Sequence, residues 1–183
     1  MTDWTVLGTL AAVPALDRPD LLGDPVARAL KALDAADAAL VGVAEIDPGL
    51  ADTAEFCAAY SSPLERSANC VVVTGRRSGE TRHAACLVLA TTRADVNGLV
   101  RKRLDVRKAS FARMDDAVAH TGMQYGGITA VGLPEAWPLL VDAAVAAAPA
   151  VVIGSGIRGS KLALPGELAA RLPGAEVVEG LAG

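Results

Sequence analysis

Two apolar runs close together in the chain constrain the fold most. Asn69 to Thr74 is β-branched and apolar, Arg82 to Thr91 is a second such run, and Gly75 to Gly79 between them carries turn signals. Two short runs separated by a turn read as an antiparallel hairpin with one buried face.

The flanking segments are short and heavily punctuated. Residues 1–23 contain Pro14, Pro19 and Gly23 and read as an irregular arm. Asp24-Pro25 places an N-cap before a first-turn proline, predicting a helix to about Asp37. Leu40 to Ile46 reads as a strand ending at the turn Asp47-Pro48-Gly49. Asp52-Thr53-Ala54-Glu55 has the form of a capping box, opening a helix through about Tyr60. Thr92-Arg93-Ala94-Asp95 has similar spacing, and Val96, Leu99, Val100 and Leu104 form one stripe of the helix that follows. Arg101 and Lys102 then point outward.

Met114 to His120 predicts a short helix stopped by Gly122. Pro138 to Asp142, Ala150 to Ile153, Ser160 to Leu164 and Ala175 to Val178 read as strands, the last at an edge. An Ala-rich helical turn follows the first of these, and Pro165 to Leu172 is a short helix. Strands and short helices mix without βαβ regularity, so an α/β class of the mixed α+β kind fits better than a doubly wound sheet.

Hydrophobic residues make up 52% of the 183, enough for one sizeable core. Aromatics are only 3%, so the core rests on Ala, Val and Leu, which argues against base recognition by a stacking platform of the RRM or OB type. The most apolar stretch, Trp137 to Ile153, is broken by Pro138, Asp142 and Pro149 and is too short to span a bilayer. Met1 to Ala11 lack a basic region followed by an apolar run, so no secretory signal is expected. Three cysteines, Cys57, Cys70 and Cys86, lack CxxC spacing, which suggests neither a disulfide framework nor a zinc site and suits a reducing cytoplasm.

Net charge is −4, yet Arg76 to Arg113 holds ten basic residues against three acids. Such asymmetry attracts phosphates, although on charge alone it reads as a solvated surface. Gly154-Ser155-Gly156-Ile157-Arg158-Gly159 matches GxGxxG, but a dinucleotide loop must open a helix and this one opens a strand. It reads as a tight strand-to-strand turn whose amides are able to face a ligand. Gly122, Gly126, Gly127 and Gly132 fall in one loop of eleven residues, with Ile128, Val131 and Leu133 to pin it to the core. We read a binding loop whose amides meet a carbonyl or carboxyl group. The cysteines read as core residues, Cys70 alone retaining a case for reactivity, and His83 and His120 as structural or exposed.

Several segments, in order, resemble one family. These are Ile46-Asp47-Pro48, Ala51 to Cys57, Pro63-Leu64-Glu65-Arg66-Ser67-Ala68-Asn69-Cys70 and Leu104-Asp105-Val106-Arg107-Lys108-Ala109. The run His120 to Gly132 is similar to a T-G-x-x-x-G-G-x-x-P-x-G loop, and Val151 to Leu164 to a closing hairpin. Together they resemble the YbaK-like, prolyl-tRNA synthetase-associated editing domains over roughly residues 43–180.

The resemblance implies a curved, barrel-like mixed sheet flanked by helices in residues 43–183; residues 1–42 fall outside it and are expected to form an arm and helix packed on that domain. It implies a trans-acting aminoacyl-tRNA deacylase, a hydrolase of mischarged tRNA that guards translation fidelity in the cytoplasm. No metal and no cofactor are implied; catalysis is attributed to positioned water, backbone dipoles and substrate groups. Partners are an aminoacylated tRNA and, as a second candidate, an aminoacyl-tRNA synthetase, with no membrane and with the chain a monomer or homodimer.

The residues this reading singles out are Asn69, Gly126 and Gly127 for catalysis. Ile128, Thr129, Gly132, Gly154, Ser155 and Gly156 would contact substrate, and Arg76, Arg77, Arg101 and Lys102 tRNA. Two departures stand out: Asn69 occupies the place of the family's strand lysine, and Ala130 that of the loop proline. They support an alternative, a non-catalytic module that binds an amino acid, an aminoacyl-adenosine or a synthetase.

Overall fold

The computed structural model describes residues 3–183; the first two residues of the expected N-terminal arm lie outside that range. In chain order come β1 (Val13–Pro14), α1 (Asp24–Ala32), α2 (Ala35–Ala38), β2 (Gly42–Glu45) and α3 (Thr53–Tyr60). The hairpin follows as β3 (Ala68–Arg77) and β4 (Glu80–Leu89), then α4 (Arg101–Leu104), β5 (Ala109–Phe111) and α5 (Met114–Thr121). The last part holds β6 (Leu139–Asp142), α6 (Ala143–Ala146), β7 (Val151–Gly154), β8 (Ser160–Leu164), α7 (Gly166–Ala169) and β9 (Ala175–Val178).

The strands form two sheets. One is antiparallel with order β1-β2-β8-β7; the other is mixed, with order β5-β3-β4-β6-β9. In the second sheet β3 and β4 pair from Ala68–Leu89 to Arg77–Glu80, while β6 runs parallel to both β4 and β9. A parallel bridge between Ser67 and Val152 brings the start of β3 beside β7.

The expectation of a barrel-like sheet needs correction, because the two sheets do not close on each other. Closure requires every edge to find a partner strand. Here β1 is two residues long and ends in Pro14, which has no N–H to give, and β5 and β9 remain edges. Beyond the Ser67–Val152 bridge the sheets part, and a cleft lies in that opening.

Both sheets nevertheless share one core. Val26 and Leu30 of α1, Val43 of β2, Ile153 and Leu162 of β7 and β8, and Leu87, Leu139 and Val141 of the mixed sheet belong to a single buried cluster. Ala15, Leu21 and Leu22 join it, so the segment before β2 contributes to the same core. A second cluster packs Val96, Val100 and Leu104 against Val73 and Leu140. A third sets Phe56 of α3 on Val152 and Ala163. Each aliphatic side chain so buried stabilises the fold by about 1.5–3 kcal/mol against exposure.

Local structure departs from the sequence reading in several places, two of which concern where elements end. The helix expected from Asp24 to Asp37 breaks at Leu33, whose backbone is extended, and Asp34 caps a new helix by accepting from the Asp37 N–H. The hairpin loop is only Ser78-Gly79, both at positive φ, because Gly75 to Arg77 continue to pair with β4.

Candidate functional site

Four segments meet at the opening between the sheets. They are the N-terminal turn of α3, the start of β3, the ends of β7 and β8, and the glycine loop after α5. Between them is a cavity of about 340 Å³, at the small end of the range for ligand pockets.

The glycine loop is held by backbone bonds to the β7–β8 turn. Gln124 N–H donates to Gly156 O at 2.9 Å, and Gly156 N–H donates to Gly127 O at 2.7 Å. Arg158 N–H donates to the Gln124 side-chain oxygen at 3.0 Å. Such close approach needs glycine. A Cβ on Gly126, where φ is +80°, would lie 2.1 Å from Arg158 Nη1, and one on Gly154 would lie 2.7 Å from Gly127 O.

This latch decides which amides are available. Gly127 N–H is spent on Gln124 O at 2.9 Å. The N–H groups of Gly126 and Ile128 have no hydrogen-bond partner among the described residues, and both residues line the cavity.

Of the residues singled out from sequence, Asn69, Gly126, Ile128 and Gly154 are brought together on this one lining. Asn69 is half-buried and its Oδ1 accepts from Thr53 Oγ1 at 2.9 Å, which fixes the amide. Gly127 stands behind the lining, with its carbonyl taken by Gly156. Thr129 is fully buried, and its Oγ1 lacks a hydrogen-bond partner among the described residues. Gly132 packs on the backbone of Pro25 at the start of α1. Ser155 is also buried, bonded through Oγ to Ser160 Oγ at 2.6 Å, and Gly156 sits on Gly23 and Val26.

The basic residues lie elsewhere. Arg76 and Arg77 end β3, seven and eight residues beyond Asn69, on the order of 25 Å along an extended strand. Arg77 is paired with Asp105 at 2.7 Å. Arg101 Nε donates to Asn97 O, and Lys102 is exposed on α4.

Sequence reasoning missed Lys161. It lies in β8, directly paired with Gly154 of β7, and lines the cavity. Only 8% exposed, its Nζ donates to Ala51 O at 2.7 Å and lies 5.4 Å from the Phe56 ring centroid. Burial, chiefly, pulls its pKa below the usual lysine value. The signal was a lysine inside a strand that otherwise reads as buried. Arg158 was missed as well: its guanidinium reaches Asp52, Pro48 O and Tyr125 O at the cavity rim.

Two of the thiols are poorly suited to act as nucleophiles. Burial pushes Cys70, on the cavity lining, up to about 12, and Cys86 likewise, so both stay protonated. His83 stacks on Trp137 with ring centroids 4.8 Å apart and meets His120 edge-on, away from the cavity lining. The GxGxxG run joins β7 to β8 as a hairpin loop, with no helix to receive a pyrophosphate.

Comparison with known proteins fits this geometry. No curated protein sequence matches the chain. Among solved structures, one of a candidate trans-editing enzyme for prolyl-tRNA synthetase superposes with a TM-score of 0.70 at 20% identity, covering 86% of this chain and 97% of the other. A structure from work on grafting linear epitopes onto scaffold proteins gives 0.69 at 21% identity, with coverage of 86% and 97%. A hypothetical protein gives 0.63 at 21% identity, with coverage of 73% and 85%. These likenesses establish the shared fold. The model of the aminoacyl-tRNA editing domain matches residues 47–172, most of the chain and all four walls of the cavity. By that match the chain belongs to the aminoacyl-tRNA editing domain family.

Proposed function

We propose that the protein is a trans-acting aminoacyl-tRNA deacylase of the cytoplasm, hydrolysing the ester that joins a wrongly attached amino acid to tRNA. The supporting observation is the cavity itself, where Asn69 and the unspent amides of Gly126 and Ile128 share one small lining. Backbone N–H groups fixed before substrate arrives are suited to hold a carbonyl oxygen as it becomes negative.

In this reading a water oxygen adds to the ester carbonyl carbon, and the carbonyl electron pair moves onto its oxygen. Collapse breaks the bond to the ribose oxygen, which takes up the proton that the water gives. Gly126 and Ile128 donate to the developing oxyanion. Asn69, held by Thr53, orients the terminal adenosine or the water through its amide N–H groups. Gly154 leaves one wall free of side chain, and Arg76, Arg77, Arg101 and Lys102 are positioned by charge to meet tRNA phosphates. The working partner is thus an aminoacylated tRNA; a synthetase would be a second.

A panel of mischarged tRNAs tests the proposal. At least one should lose its amino acid faster than in buffer, and no acceleration for any of them refutes it. The fixed carbonyl of Asn69, where the resemblance places a lysine, favours one competing reading: a module that binds without turnover. A non-hydrolysable aminoacyl-adenosine analogue separates the two, since binding without any deacylation selects the module.

A further inference from the structure

Lys161 is out of keeping with its surroundings. All five residues of β8 are buried, and four of them are uncharged. No carboxylate lies within 4 Å of its ammonium among the described residues, and its one protein acceptor is Ala51 O. An ammonium carries three N–H donors, so two have no protein acceptor. Burying such a group without a counter-ion is costly, and an apolar side chain of similar length would suit the strand better. The neighbouring strand leaves the group accessible: Gly154, its pairing partner, has no side chain to cover it, and both line the cavity.

A buried cation short of acceptors at the wall of a cavity is a receptor for an oxygen that bears negative charge. We propose that Lys161 is a catalytic residue whose ammonium donates to the carbonyl oxygen of the scissile ester and holds its charge as water adds to the carbon. This rests on the deacylase reading and names the group that does most for its transition state. Lys161 neither takes nor gives a proton in the step; the water proton goes to the ribose oxygen as before. A lone structural peg for Ala51 would leave the remaining donors and the open wall unexplained.

Lys161→Met tests it, because a buried charge replaced by an apolar chain of like length is commonly neutral or stabilising. The variant should keep or raise the Tm while kcat falls about 10²–10³-fold, the loss typical of one oxyanion donor, with KM little changed. The wild-type catalysed rate should decline at high pH as the ammonium loses its proton, and the residual rate of the variant should lack that decline. The charged and titratable groups around it are Asp52 and Cys57 at α3 and Arg158 in the β7–β8 loop. Adding Asn69→Lys to Lys161→Met returns an ammonium to the same lining and should recover part of the rate. Wild-type kcat in Lys161→Met overturns the proposal, as does a loss that only follows a fallen Tm and is not recovered by Asn69→Lys.

Should the wild type hydrolyse none of the mischarged tRNAs, the deacylase reading falls on that result. The ligand contact is then read directly from the Lys161 Nζ resonance during titration with the non-hydrolysable aminoacyl-adenosine analogue. A saturable shift supports the contact, and no shift with analogue bound overturns it.

Discussion

At position 126 a methyl group would strain the backbone and push a side chain aside. The residue has φ of +80°, and the place a Cβ would take is occupied by the Arg158 guanidinium, itself engaged with Pro48 O and Tyr125 O. Gly126→Ala should therefore cost about 1–3 kcal/mol through backbone strain and displacement of Arg158, read from denaturant unfolding. The Gly126 and Ile128 amides would move with the loop, so deacylation should fall further than stability does. Gly79→Ala is the control: φ is +84° but nothing lies within 4 Å, so it should carry strain alone and leave activity intact. Equal activity in both variants would remove the loop from the chemistry. Position 126 was legible because four glycines in one loop imply unusual backbone. Lys161 was not, because reading β8 as a buried strand made each of its residues a core residue.

Elements were more legible than the caps that set their limits. Capping-box spacing at Thr92 to Asp95 announces a helical segment but points to the wrong cap. Thr92 Oγ1 donates to Leu89 O, closing the strand before it. Asp95 is the cap: its two carboxylate oxygens accept from Gly98 and Leu99 N–H, each at 2.9 Å. Asp95→Ala should cost about 1–2 kcal/mol, since it leaves two helix-end donors to water and loosens the stripe of Val96, Val100 and Leu104. Thr92→Ala should cost less, and thermal unfolding of the pair distinguishes them; an equal loss in both would return the capping role to Thr92. The break at Leu33 has the same origin. Asp34 and Asp37 stand three apart, a cap signal inside what periodicity alone joins into one helix. The hairpin is longer than its apolar run because Gly75 pairs with Arg82 on one side and Ala109 on the other, so its backbone is satisfied whatever its side chain.

Across the whole molecule the question the proposed substrate raises is how an acidic chain meets a polyanion. The clustering of basic residues between Arg76 and Arg113 could be read from sequence, but which of them are free for a partner could not. Asp105, remote in the chain from Arg77 and Arg82, pairs with both, and Glu176 of β9 engages Arg103. Arg76, Arg101 and Lys102 have no carboxylate within 4 Å among the described residues, and neither do Arg93, Arg107, Lys108 and Arg113, so the available charge of the stretch is shared among these residues. Exposed ion pairs such as Arg77–Asp105 are individually weak, but their partner must be displaced before a phosphate gains the full charge. Each phosphate neutralised by a cation releases counterions and contributes about 0.7–0.9 to the slope of log K against log salt. Arg101→Ala with Lys102→Ala should therefore flatten that slope by roughly 1.5 for aminoacylated tRNA, measured by filter binding across a salt series. Arg77→Ala should flatten it by less than one such increment, because Asp105 already offsets part of that charge. An unchanged slope in the double variant would place the tRNA on another face of the molecule. A change confined to Arg77→Ala would mean that Asp105 gives up its arginine on binding, making that ion pair a part of the interface.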